Sequence, residues 1–305
     1  MRNAFAKEVT RLASADERVV LLSGDIGNNL FEGVKKVGSR HFLNCGIAEA
    51  NMIGVAAGMA MSGLRPIVYT IAPFTTTRCF EQIRVDLCYH EAPVIIVGTG
   101  AGLSYAELGP THHSLEDLAI LRTLPNMTVF APCDIWEMVG CMRAALAHNG
   151  PSYIRIGKKG EPDIHPGKVD LVIGRAIEVQ EGHDVALLVS GTIMPVALAV
   201  SAILKEQGLS VAVTSFPTVK PLDTDYLEQT ASGFRLLVTI EEHGRIGGLG
   251  GAVSEWRAGI RNVPPVLLCG TRDEFLHVIG DQDYARSLYM LSADKIAATI
   301  LEKLG

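Results

Sequence analysis

Glu49 is the carboxylate that stands out. It heads the run EANMIGVAAGMAM within LNCGIAEANMIGVAAGMAMSG, residues 43–63, where no basic residue stands alongside it. A carboxyl that must hold or share a proton near neutral pH needs an apolar surround with no neighbouring cation, and the local composition offers one. Read alone, Glu49 is first of all an acidic residue in the first turn of a helix, where the macrodipole favours it. A second candidate is the histidine pair in GPTHHSLED. Paired loop histidines are more often solvated or hydrogen-bonded features than catalysts. SGDIGNN (23–29) presents Asp25 and two amides after an apolar run, which by itself is turn chemistry. Phe74 follows a strand and reads first as core.

The elements that must position these groups are legible as alternation. VVLLSG (19–24), PIVYTI (66–71), APVIIVG (92–98) and NMTVFAP (126–132) are continuous apolar runs, suited to parallel strands buried on both faces. Helical patterns lie between several of them, over Glu49–Met61, Arg78–Tyr89 and Ser114–Leu121, the last with Ser114 and Asp117 spaced as a capping box. The polar stretch RIGKKGEPDIHPGKVD (155–170) reads as a linker. Beyond it the alternation resumes with 184–191, a helix over 194–207, then 209–216, 235–242 and 265–270. The expected fold is α/β with two domains, 1–165 and 175–305, each a mostly parallel sheet flanked by helices.

Composition narrows the function classes. The chain has 305 residues, 48% hydrophobic and 20% charged, with a net charge of −6 and no basic stripe, which disfavours nucleic acid. Lys7, Glu8 and Arg11 break up the N-terminal segment, so it reads as an amphipathic helix and not a secretory signal. The least polar segment, 50–64, is too short to span a membrane. Six cysteines form no CxxC pair and no zinc spacing, and read as reduced core thiols of a cytoplasmic protein. GTGAG (98–102) does not lead directly into a helix. GRIGGLGGAVSEW (244–256) does, and reads as a tight turn with close helix packing, though it could cradle an anion.

Four stretches carry a resemblance: CGIAEANMIGVAAGMA, FTTTRCFEQIR, GPTHHSLEDLAILRTLPNMTVFAPCD and TIEEHGRIGGLGGAV. Together they resemble transketolase, over its pyrimidine-binding domain followed by its C-terminal domain. The family's diphosphate- and Mg²⁺-binding domain has no counterpart here, so the chain is similar to the second subunit of a split transketolase. The resemblance implies thiamin diphosphate, with Mg²⁺ ligands coming from a partner subunit in a heterotetramer of two plus two, and no metal ligand on this chain. It implies transfer of a two-carbon ketol unit from a ketose or 2-oxo acid donor to an aldehyde. A beta subunit of a 2-oxo acid dehydrogenase shares the architecture and is the alternative. A non-catalytic interaction subunit that keeps the fold is another.

What the resemblance implies for individual residues follows its motifs. Glu49 aligns with the glutamate that contacts N1′ of the aminopyrimidine and starts a proton relay. Phe74 aligns with the aromatic that stacks on that ring, Ile71 stands where a second aromatic is common, and Asp25 lies close to the cofactor. His112 aligns with the histidine near the reacting carbonyl. Arg155, and more loosely Ser23 and Arg2, align with groups that hold substrate phosphate. Gly100 replaces a phosphate-binding histidine and Leu108 replaces an aspartate that recognises sugar hydroxyls, which implies a substrate displaced from ordinary sugar phosphates.

Overall fold

The computed structural model describes residues 1–27 and 29–305; Asn28, in the SGDIGNN stretch, lies outside them. Parallel strands β1 (Val19–Ser23), β2 (Phe42–Asn44), β3 (Arg65–Ile71), β4 (Ile95–Thr99), β5 (Thr128–Phe130) and β6 (Ser152–Ile156) form the first sheet, in the order β5-β6-β4-β3-β1-β2. A second sheet carries β7 (Ile177–Gln180), β8 (Val185–Ser190), β9 (Val211–Ser215), β11 (Leu236–Gly244) and β12 (Val266–Thr271), in the order β12-β11-β8-β9-β7. Only the edge strand β7 runs antiparallel there. The intervening strand β10 (Thr218–Lys220) leaves the second half and pairs antiparallel with β5, so the second domain supplies an edge of the first sheet.

Period-two alternation divides β1 between two cores. Val20 and Leu22 face the helix Glu49–Met61 through Met52, Ile53 and Ala56. Val19 and Leu21 face the helices Arg2–Ala15 and Ile135–Ala147. Each fully buried side chain such as Ile53 contributes about 1.5–3 kcal/mol. The helix Glu49–Met61 stops where Gly63 takes φ +90°, with Leu64 N–H donating back to the Met59 carbonyl at 3.0 Å. The expected segment Arg78–Tyr89 is a helical turn at Phe80–Gln82 that widens into π-helical turns over Ile83–Tyr89.

Several expectations are corrected. The linker read as starting at residue 155 begins inside β6, whose last two residues are Arg155 and Ile156. No capping box forms at Ser114: its backbone is spent pairing with Gly102, its hydroxyl lies buried without a partner, and the helix starts at Asp117. At the glycine-rich turn before the helix Leu249–Ala258, the chain fills its own anion position. Glu241 accepts from the amides of Leu249 and Gly250 at 2.8 and 2.7 Å, and any side chain at Gly248 would collide with that carboxylate. Among the described residues, no helix is long and apolar enough to cross a membrane.

Candidate active site

The groups of interest gather at the carboxyl edge of the first sheet, where ligands bind in open parallel sheets. Glu49 starts its helix just beyond β2 and is buried. Phe74 sits on the helical turn Ala72–Thr75 that follows β3 directly. A threonine run shapes that turn. The Thr75 and Thr76 hydroxyls donate to the Ala72 carbonyl at 3.1 and 2.8 Å, and Thr77 donates to the Pro73 carbonyl at 2.8 Å. The turn folds Arg78 back over both neighbours. Its Nη1 donates to Glu49 Oε2 at 2.9 Å, and its guanidinium carbon stands 4.2 Å from the Phe74 ring centroid. The expectation that Glu49 has no cation beside it is therefore overturned by a residue 29 positions further along the chain. Beside them, burial and then the Glu49 carboxylate push the Cys79 thiol up to about 12, which leaves it protonated and inert.

His112 reaches the same place from the loop after β4. Its ring meets Phe74 edge-on at 5.3 Å and lies 6.0 Å from Tyr105. Nδ1 is 2.9 Å from the Thr111 hydroxyl. Burial, and then the neighbouring His113, hold His112 below the usual histidine range, so the ring is neutral at neutral pH. His113 is buried and turned towards the Ala106 carbonyl, 3.4 Å away. Tyr105 also explains Gly100: the backbone there has φ +81°, and any side chain would run into the Tyr105 ring. Lys158 lies over that ring at 4.5 Å and pairs with Glu107. Leu108 is 49% exposed on the same loop.

Two of the proposed phosphate holders are buried. Arg155 is only 2% exposed, its Nε donates to Asp117 at 2.9 Å, and its Nη2 donates to the carbonyls of Ser114 and Glu242 at 2.5 and 2.9 Å. It joins β6 to the second domain through these bonds. Ser23 is buried, with its hydroxyl donated to the Gly24 carbonyl at 2.8 Å. Arg2 is half-buried at the start of the first helix, its Nε buried without a partner, beside an open groove lined by Lys7, Thr10 and Asn29. Asp25 is exposed and accepts from Asn44 Nδ2 at 3.1 Å, and Ile71 ends β3 with its side chain buried. Sequence reasoning missed Arg78, Tyr105 and Lys158; the four-residue spacing of Phe74 and Arg78 in one short segment was the available signal.

An aminopyrimidine needs a flat apolar face and a carboxylate for its ring nitrogen. Phe74 and Glu49 supply both, close enough for one flat guanidinium to touch each, so these residues fit the ring of thiamin diphosphate. Among the described residues, one set of His, Cys, Asp or Glu ligand atoms converges in threes: Cys133, Glu137 and His165. There His165 bonds Glu137 at 2.9 Å, and burial, then Glu137, raises the Cys133 thiol far above its usual range. That cluster fastens the linker to the helix Ile135–Ala147.

Comparison with known proteins follows the same lines. The transketolase pyrimidine binding domain family matches residues 1–161, and the transketolase C-terminal domain family matches 174–296. The chain is 33% identical over 303 residues to an apulose-4-phosphate transketolase subunit of Phocaeicola vulgatus, covering 99% of this chain and 96% of that one. It is 33% identical to the 6-deoxy-6-sulfo-D-fructose transketolase subunit SqwH of a Clostridium species, over 97% of this chain and 92% of that one. Among solved structures, a split gene transketolase, inactive beta4 tetramer, aligns with a TM-score of 0.89 at 33% identity, covering 99% of this chain and 97% of that one.

Proposed function

Since the chain belongs to the transketolase family, we propose that it is the second subunit of a split transketolase, active only with a partner that binds diphosphate and Mg²⁺. The transfer is of the thiamin-dependent transketolase type, and the relatives do not favour a 2-oxo acid dehydrogenase subunit. The observation that carries the proposal is the convergence of Glu49, Phe74 and His112 at one sheet edge. Bound thiamin diphosphate supplies the electron sink for breaking a carbon–carbon bond next to a carbonyl. Glu49 would hold N1′ of its ring and exchange a proton there. Phe74 would carry the ring face. His112, neutral and with Nδ1 beside the Thr111 hydroxyl, would present Nε2 to the substrate's carbonyl oxygen. Lys158, at the end of the Tyr105–His112 row, is the cation we assign to a substrate anion in place of Arg155. With Leu108 in place of a hydroxyl acceptor, donors with fewer hydroxyls are favoured.

Calorimetric titration with thiamin diphosphate and Mg²⁺ tests the partner dependence. The isolated chain should bind weakly and turn nothing over, and a two-plus-two complex with a diphosphate- and Mg²⁺-binding subunit should bind tightly and transfer ketol units. Micromolar binding and turnover by the single chain would end this reading.

A further inference from the structure

Arg78 does more than neutralise a carboxylate. Its guanidinium is flat, delocalised and edged with N–H donors, and it lies over the Phe74 ring while donating to Glu49. An aminopyrimidine shares those features, and it needs the same ring face and the same carboxylate. Two flat groups cannot occupy one face of Phe74 together. Resting on the assignment of Glu49 and Phe74 to the cofactor's ring, we propose that Arg78 is an intramolecular stand-in: it fills the pyrimidine site of the free chain and is displaced when the ring docks.

The local construction suits a displaceable group. Phe74 lies on the turn Ala72–Thr75 and Arg78 on the next, Thr77–Cys79, with three threonine hydroxyls bracing the segment, so the arginine stem starts from a fixed point. The Arg78 side chain is 46% exposed, whereas the Glu49 side chain is 6% exposed. With the arginine half-exposed, solvent screens its ion pair and its cation–π contact from one side, so together they hold the site without blocking a ligand that makes larger contacts. The stand-in also keeps a buried carboxylate and an aromatic face paired while no cofactor is present. Removing it should raise the affinity for the bare ring by on the order of 5- to 30-fold.

The test uses the full chain and the hydroxymethyl form of the cofactor's aminopyrimidine, without thiazolium or diphosphate, so that no partner is needed. Affinity is measured by ligand-observed NMR for wild type, Arg78→Met and Arg78→Lys, and again with Phe74→Ala or Glu49→Gln added to Arg78→Met. Arg78→Met should bind the ring more tightly than wild type, with Arg78→Lys between them. Raising the salt concentration should strengthen wild-type binding by screening the ion pair, and leave Arg78→Met unchanged. Equal or weaker binding by Arg78→Met, with Phe74→Ala still harmful in that background, overturns the stand-in and leaves the pyrimidine site standing. Ring binding that ignores both Phe74→Ala and Glu49→Gln, or no binding by any variant up to the solubility limit, overturns the site assignment and the stand-in together.

Discussion

Arg155→Met is the substitution that separates a structural arginine from a substrate-binding one. The Arg155–Asp117 pair is buried on both sides, at 2% and 1% exposure, with Nε and Oδ2 2.9 Å apart. The same guanidinium donates to the carbonyls of Ser114 and Glu242, which ties β6, the loop before Asp117 and the second domain to one side chain. Asp117 Oδ1 has no hydrogen-bond partner and lies 4.0 Å from His243 Nε2, so the carboxylate's hydrogen bonds come from Arg155 and from the Tyr153 hydroxyl, 2.6 Å from Oδ2. Methionine keeps the length of the stem but leaves a buried carboxylate without its cation. Such a loss costs about 3–5 kcal/mol, a large part of the roughly 5–15 kcal/mol by which native proteins are stable. Equilibrium urea unfolding reads it directly. Adding Asp117→Leu should recover much of the loss, because an apolar pair of similar volume replaces a buried ion pair at little cost. Should Arg155→Met unfold within about 1 kcal/mol of wild type and instead raise KM for phosphorylated substrates, the buried-tie reasoning is wrong.

Leu108→Asp restores an acceptor for substrate hydroxyls. A hydroxyl left unpaired against leucine costs roughly 1–3 kcal/mol, so kcat/KM for a polyhydroxylated ketose relative to pyruvate should rise about 5- to 150-fold; an unchanged ratio makes Leu108 mere packing. His165 predicts a pH effect on stability. Its hydrogen bond to Glu137 raises it above the ordinary histidine value, so folding takes up a proton. That contribution is complete below about pH 6.5 and is lost as pH rises through the raised folded value. Thermal unfolding between about pH 6 and 9 should decline in wild type and flatten in His165→Gln, and parallel profiles would contradict it.

What the sequence discloses depends on burial. β1, β3 and β4 are buried along their whole length, and each shows as an apolar run. β2 has two of its three residues exposed, and β10 is three residues long at a sheet edge, so neither leaves such a trace. Glu49, Phe74 and His112 are legible because motifs mark them. Arg78 is not, since only the threonine-braced turn carries it back to Glu49. The pair of cations in YIRIGK shows the limit most sharply: Arg155 lies inside β6 and points into the core, whereas Lys158, three residues later, lies beyond the strand and reaches Tyr105. Where the strand ends decides which one is buried, and the polar composition of that segment hides the end.

The central claim is that Glu49 exchanges a proton with the cofactor's ring. Its most direct test is the rate at which the cofactor's C2 proton exchanges for deuterium, followed by NMR in the chain assembled with its diphosphate-binding partner. Glutamine at position 49 can still hydrogen-bond but cannot pass a proton. Glu49→Gln should therefore slow the exchange by about 10²–10⁴-fold while the complex assembles as before. Exchange near the wild-type rate in that variant would return Glu49 to the role of an acidic residue at a helix start.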